Sequence, residues 1–415
     1  MGKNVIVVGG GIIGLCSAYY LKKEGHEVTV IDKSNMDAGA SYVNAGYITP
    51  SHFISLASPG MLSKGLKWMF NPKSPLYIKP RLDIDFLKWV WAFKKSATPL
   101  KVEASIKPLL DINLLGRELY EDLQQSNEFN FHYERKGLLM YYKTDKVGEE
   151  EWEVGKRGIE EGLKVEHLSQ TEVSKLEPKA NLNVKGAVYY HSDAHMTPNN
   201  FMQEMIVHLK KNGVSILKNE EVVDVDINNQ KILKVITETR QLLCDEVVLA
   251  AGSWSPKISK KLGLKLLIQA GKGYSINLNR DTNITIPAIL CEAKVAVTPM
   301  NGFTRFAGTM EFSGINHTVN PVRVNAIAEA SSSYYNQLYI TSEEKAQAKC
   351  GLRPCTPDGL PYIGKTSKYK NLTIATGHAM MGWSLGPATG KLVSDIISEI
   401  KTELDIQAFN PDRIF

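Results

Sequence analysis

Arg353 stands in the run CGLRPCTPDGLPYIG, one residue before Pro354 and between Cys350 and Cys355. A guanidinium is planar and permanently charged, so it can hold a carboxylate through two parallel hydrogen bonds. The competing use of such an arginine is an internal salt bridge. Tyr274, in AGKGYSI, can add a hydroxyl to the same anion or serve as a sheet tyrosine lining a pocket. His378, Met381 and Trp383 share the stretch IATGHAMMGWSLGPATG, where an imidazole can tune a substrate amine, hydrogen-bond a ring or be merely structural. His52, just after NAGYITP, is a candidate of the same kind, whereas Arg305 is expected on an exposed strand face.

The elements that would position these residues begin at the N-terminus. NVIVV reads as a strand buried on both faces, GGGIIG as a turn, and LCSAYYLKKEG as a helix closed by Gly25. HEVTVID is a second strand ending in an acid. Together they form a βαβ dinucleotide-binding unit. Gly9 permits the tight turn, Gly11 lets the backbone approach a pyrophosphate, and Gly14 allows close helix–strand packing. The phosphates then meet free N–H groups at the helix N-terminus, and Asp32 accepts the ribose hydroxyls. Whether the dinucleotide is NAD or FAD is not decided by this fingerprint, because both share the adenosine diphosphate half.

Bulk properties narrow the classes. The chain has 415 residues, 43% hydrophobic and 22% charged, enough for two domains with real cores. No signal-peptide or membrane-spanning pattern stands out, and five cysteines without a CxxC pair argue for a reducing, cytoplasmic setting. Cys16 reads as core packing. HSDAH (191–195) alternates ligand types along one strand face, but no further cluster supports it and no metal is expected. Between Ser51 and Lys101 stand Lys64, Lys67, Lys73, Lys79, Arg81, Lys88, Lys94, Lys95 and Lys101 against only Asp83 and Asp85. That excess is larger than the +5 of the whole chain, and Trp68, Trp89 and Trp91 lie in the same window. A solvated face, a membrane surface or a protein partner would each suit it; nucleic acid is not expected, since no such motif accompanies the charge.

The GGGIIG unit, SxxNAGxxxP, the AAGSW strand end, CGLRPCTPDGLPYIG and IATGHAMMGWSLGPATG recur in the order found in the D-amino-acid oxidase superfamily. The chain resembles that superfamily end to end. NAGYITP with its basic, tryptophan-bearing continuation, AGKGYSI and RFAGTMEFSG are most similar to the bacterial D-amino-acid dehydrogenase branch. The resemblance implies an α/β fold: a doubly wound, Rossmann-like FAD domain with an inserted α+β substrate domain on a mixed sheet. Residues 1–50, 149–175, 195–262 and 345–415 are expected in the FAD unit, and 51–148, 176–194 and 263–344 in the substrate unit. FAD is expected to be non-covalent, because the position at which some relatives tether the flavin is Gly351, although Cys355 is near.

Cofactor contacts are expected from Gly9, Gly11, Ile12, Ile13, Gly14, Asp32 and Lys33, then from Ser41, Asn44, Ala45 and Gly46. Further contacts are expected from Val222, Val223, Ala251, Gly252 and Trp254, and finally Gly377, Met380, Gly382, Trp383 and Ser384. Pro387 should open a helix whose stripe of Leu392, Val393, Ile396, Ile397 and Ile400 is buried, its N-terminus facing the flavin. The resemblance assigns Arg353 to the substrate carboxylate, with Tyr274, His378, His52, Met381 and Trp383 around the substrate. The implied reaction is hydride transfer from Cα of a D-amino acid to flavin N5, giving a 2-oxo acid and ammonia. The implied acceptor is a quinone or other respiratory carrier at the inner face of the membrane. D-proline or hydroxy-D-proline, glycine or sarcosine, an O2-using oxidase, and one subunit of an electron-transfer complex remain alternatives.

Overall fold

A computed structural model describes residues 2–60 and 74–415. Asn4–Val8 occupies the middle of a six-stranded sheet, parallel to Glu27–Ile31 on one side and Glu246–Leu249 on the other. Val5 to Val8 are all buried, as a continuous β-branched run requires when helices and loops cover both faces. Ser215–Leu217 and Leu372–Thr376 extend the parallel set, and Tyr362–Lys365 closes one edge antiparallel. The helices Ile12–Lys23 and Gly386–Ser398 lie against each other at short range. A Cβ on Gly390 would come within 2.5 Å of the Cys16 carbonyl carbon, which places Cys16 in that core. On the opposite face, Ile232 and Val235 of a three-stranded antiparallel sheet pack beneath Ile6 and Val8.

The helix Gly386–Ser398 has Pro in its first turn, as expected, but it ends at Glu399 in the left-handed conformation (φ 60°). Ile400 therefore leaves the expected buried stripe and is 46% exposed.

A second, nine-stranded mixed sheet faces the first. Lys349–Cys355 forms one edge and pairs antiparallel with Gln269–Leu278, followed in order by Phe303–Phe312 and Val295–Met300. Leu138–Tyr142, Gly186–Tyr190 and Val165–Ser169 form its far side. Two of these strands differ from the expected segmentation. Lys349–Cys355 and Val165–Ser169 fall in stretches assigned to the nucleotide unit, yet their ladder hydrogen bonds are made in the large sheet. A small sheet of Tyr47–Ile48, Ala194–Met196 and Tyr133–Glu134 lies beside them.

Of the basic window, Lys64, Lys67, Trp68 and Lys73 lie outside the described residues. The helix Ile84–Ser96 begins at Asp83, whose carboxylate accepts from the N–H groups of Asp85 and Phe86. Its inner face buries Phe86, Trp89 and Phe93, and the Trp89 indole N–H donates to the Cys355 carbonyl at 2.8 Å. Trp89 thus belongs to the interior, while Trp91 is 59% exposed beside Lys94 and Lys95. Among the described residues, no helix is long and apolar enough to cross a membrane.

Candidate functional site

A single cavity of about 2200 Å3 runs from the glycine turn, between the two sheets, to the helix Ile84–Ser96. Its nucleotide end is shaped by close approach. Gly9 has φ +112°, and a Cβ there would meet the Ala250 carbonyl oxygen at 2.4 Å. Gly14 lies away from the cavity, where a Cβ would strike the Gly9 carbonyl oxygen at 1.8 Å, so its absence of side chain serves helix–strand packing. Neither the helix beginning at Ile12 nor the one beginning at Gly386 has a side-chain cap on its N-cap residue. Ser41 supplies one substitute partner, its Oγ accepting from the Ile12 N–H at 3.0 Å. Asp32 closes the turn: Oδ2 accepts from the Gly10 N–H at 2.7 Å, and Oδ1 from the Ser34 N–H at 2.8 Å. This cradle, with a helix terminus left open toward a long cavity, fits the pyrophosphate and ribose of FAD.

Most expected cofactor positions line the cavity: Gly9, Gly11, Ile12, Ile13, Asp32 and Lys33, then Ser41, Asn44 and Ala45. Val222, Ala251, Gly252 and Trp254 do so from the middle of the chain, and Met380, Gly382 and Trp383 from its end. The Lys33 ammonium sits 3.9 Å from the centre of the Trp254 ring. Gly46, Val223, Gly377 and Ser384 lie off the cavity wall, as Gly14 does. Their work is architectural. A Cβ on Gly46 would meet the Met196 carbonyl oxygen at 2.2 Å, and the Ser384 hydroxyl accepts from the Thr49 N–H at 2.9 Å.

Arg353 lines the cavity from Lys349–Cys355. Across the ladder it passes over Gly273, where a Cβ would come within 2.3 Å of the guanidinium carbon. The neighbouring strand carries a β-bulge between the pairs Lys272↔Glu311 and Tyr274↔Gly308, and Thr309 there adopts φ 67°. A left-handed β-branched residue is strained, and the bulge turns the Thr309 carbonyl so that it accepts from Arg353 Nη1 at 2.6 Å. No carboxylate pairs with Arg353 among the described residues, and burial lowers its pKa from the usual arginine value. The cation is unneutralised and faces a cavity.

Tyr274 also borders the cavity, but its hydroxyl donates to Glu311 Oε2 at 2.7 Å, and Glu311 in turn pairs with buried Lys272 at 3.1 Å. That hydroxyl is engaged inside the sheet. His378 Nε2 lies 3.0 Å from the Thr389 hydroxyl, and burial pushes its pKa down to about 3, so the ring is neutral near pH 7. Trp383 donates its indole N–H to the Ser41 carbonyl at 2.8 Å, tying the C-terminal loop to the nucleotide loop. Met381 borders the cavity beside it.

His52 lines the cavity and heads a chain that the sequence did not reveal. The Ser51 hydroxyl donates to Asp193 Oδ2, while Ser51 Oγ lies 3.0 Å from His52 Nδ1. With Asp193 ionised, Ser51 gives it its one proton, the second bond is donated by His52 Nδ1–H, and Nε2 is left as an acceptor. Burial holds His52 down at about 4 and raises Asp193 to about 7.

Arg305 overturns its expected exposure: it is 2% exposed and donates to the Tyr42 carbonyl at 2.9 Å, the Asn44 carbonyl at 2.6 Å and Asn277 Oδ1 at 2.9 Å. Nine of the ten residues of Phe303–Phe312 are buried, because elements cover both faces, and simple alternation fails there. Sequence reasoning also missed the apolar end of the cavity, built by Leu56, Phe86, Trp89, Phe93, Met310 and Phe312. The helical spacing of Phe86, Trp89 and Phe93 was its only signal.

Comparisons with known proteins agree with this geometry. Residues 4–396 match a family described as FAD dependent oxidoreductase. The chain is 30% identical to a D-amino acid dehydrogenase of Helicobacter pylori over 414 residues, covering 99% of each chain. A D-amino acid dehydrogenase of Vibrio vulnificus is 31% identical over 412 residues, 96% of this chain and 97% of the relative. In fold the chain is similar to glycine oxidase from Geobacillus kaustophilus, with a TM-score of 0.79, 21% identity, and 100% and 99% of the two chains covered. L-proline dehydrogenase from P. horikoshii follows with a TM-score of 0.74, 20% identity, and 99% and 97% covered.

Proposed function

Since the chain belongs to the DAO family of FAD-dependent oxidoreductases, we propose that it oxidises D-amino acids to 2-oxo acids and ammonia and passes the electrons to a quinone or similar respiratory acceptor. The observation that carries the amino-acid reading is Arg353, a cavity-facing guanidinium without a carboxylate partner among the described residues. The dehydrogenase relatives at about 30% identity supply the D-configured substrate.

When bound, FAD supplies the two-electron acceptor for the hydride that leaves Cα. The chain's own residues position and prepare the substrate. Arg353, braced by the Thr309 carbonyl, takes the carboxylate and fixes one end of the amino acid. His52, oriented through Ser51 and Asp193, offers Nε2 as acceptor to the amine, which is oxidised in its neutral form. Neutral His378 adds no charge beside the ring, and the apolar end holds the substrate side chain. Hydride departure from Cα leaves an imine, and water converts that imine to the 2-oxo acid and ammonia.

Peripheral membrane attachment is supported by the outer face of the helix Ile84–Ser96. Ile84, Leu87 and Trp91 are exposed along one side, with Leu82 just before them and Lys88, Lys94 and Lys95 around them.

Anaerobic addition of separate D- and L-amino acids, D-proline, glycine and sarcosine to the yellow protein tests the reading. Bleaching by D-compounds alone is the expected result; bleaching by glycine or sarcosine alone would replace the substrate class. Peroxide formed in air would replace the acceptor.

A further inference from the structure

We propose that His132, Glu134 and His195 form a binding site for a zinc-class divalent cation, outside the cavity and independent of the proposed amino-acid chemistry. Glu134 and His195 are paired across the antiparallel strands Tyr133–Glu134 and Ala194–Met196, and His132 precedes Glu134 by two residues, on the same strand face. The three side chains each bring one ligand atom, and those atoms all lie within 4.8 Å of one another. Glu134 Oε2 is 3.3 Å from His195 Nε2 and 3.8 Å from His132 Nε2. Bonds of about 2.0–2.1 Å in a tetrahedron place neighbouring ligand atoms roughly 3.3–3.5 Å apart, so the two Glu134 distances already nearly fit and the imidazoles must close in around the ion.

His195 is the second, independent observation. Its side chain is 0% exposed, and neither ring nitrogen has a hydrogen-bond partner among the described residues. The Glu134 contact is close but poorly aligned for a hydrogen bond. Burying an imidazole without a hydrogen-bond partner is costly, and a cation between it and Glu134 removes that cost. His132 is already oriented for the same purpose. Its Nδ1 lies 3.0 Å from the Thr197 hydroxyl, which itself accepts from the Asn301 N–H at 2.8 Å. With a cation bound, Nδ1–H would donate to Thr197 and leave the Nε2 lone pair for the ion, the outer-shell pattern of metal-bound histidines. Lys136 is the competing cation, 2.9 Å from Glu134 Oε2, but its side chain is 43% exposed and can withdraw into water. Two imidazoles and one carboxylate, with water as fourth ligand, suit zinc better than magnesium or calcium.

An ion here would cross-link Tyr133–Glu134 to Ala194–Met196, the strand on which Tyr47–Ile48 pairs through Tyr47 and His195. Asn44 and Ala45, immediately upstream, line the cavity. The cation would therefore stiffen the base of the cofactor loop.

The test uses untagged holoprotein, treated with chelator, titrated with Zn2+ and assayed for metal after gel filtration. One Zn2+ per chain and a rise in thermal midpoint on zinc addition are expected. His132→Ala and Glu134→Gln, both at partly exposed positions, should each weaken binding by about 100-fold, as loss of a ligand at such a site implies. Both should keep the flavin spectrum, so lost metal binding is separable from unfolding and from any change of substrate. Failure of the native-spectrum wild type to bind Zn2+ would overturn the proposal. So would undiminished stoichiometric binding in both variants.

Discussion

At the scale of single residues, two charges in the interior have unlike fates. Arg353 is braced by a carbonyl and has no counter-ion among the described residues, which is why the proposed function gives it the substrate carboxylate. Arg353→Ala should lower kcat/KM by about 100-fold or more, the value of two charge-assisted hydrogen bonds, and Arg353→Lys should restore only part of it. Both variants should remain yellow; unchanged turnover in both would remove Arg353 from the carboxylate role. Asp193 is raised to about 7 by burial, above the ordinary carboxylate value it regains on unfolding. Its folded form holds a proton that the unfolded chain releases, so its contribution to stability is full below about pH 4. That contribution is lost as pH rises through about 7. Asp193→Asn should therefore gain stability relative to wild type across that window, at about 1.4 kcal/mol per pKa unit. Urea unfolding of both proteins at pH 5, 6, 7 and 8 would show it, and a constant difference would mean that Asp193 is ionised throughout.

Elements decide whether those residues can meet. Arg353 reaches the cavity because Gly273, on the adjacent strand, leaves the space a side chain would fill. Gly273→Ala would put a Cβ within 2.3 Å of the guanidinium, so Arg353 must turn away. The expected phenotype is a rise in KM of roughly tenfold or more with flavin content unchanged, the signature of lost ground-state binding. A KM near wild type would mean that the guanidinium has a second usable pose. The βαβ turn is a contrasting case. Gly9→Ala adds both a Cβ 2.4 Å from the Ala250 carbonyl oxygen and a strained positive φ, and the purified protein should be largely colourless. A fully yellow Gly9→Ala protein would show that the turn yields more readily than its contacts imply.

For the whole molecule, the part of the basic window in Ile84–Ser96 resolves into an inner and an outer face of one helix. Phe86, Trp89 and Phe93 close the apolar end of the cavity, Leu87 is exposed at its rim, and Ile84 and Trp91 look outward among lysines. One element thus joins the cavity to the exterior, the arrangement on which the proposed membrane attachment rests. Ile84→Ser combined with Trp91→Ser should abolish co-sedimentation with anionic vesicles and leave reduction of a soluble dye intact. Equal sedimentation of variant and wild type would assign this face to a protein partner or to plain solvent.

Much was legible because it depends on short-range chemistry. The strand NVIVV, the turn glycines, Asp32 and the Pro387 helix each follow from a local rule about φ, burial period or capping. The DAO family was recognisable because those local signals recur in a fixed order along the whole chain. Tertiary structure alone decided what depends on long-range pairing. The register that sets Arg353 beside Gly273 joins segments about eighty positions apart. Covering both faces of the large sheet buried Arg305 against strand alternation, and the Tyr274 hydroxyl was claimed by Glu311 from a neighbouring strand. His132 and His195 meet only because two short strands pair. Periodicity reports which way a side chain points from its own strand; it carries no information on which distant strand will lie opposite.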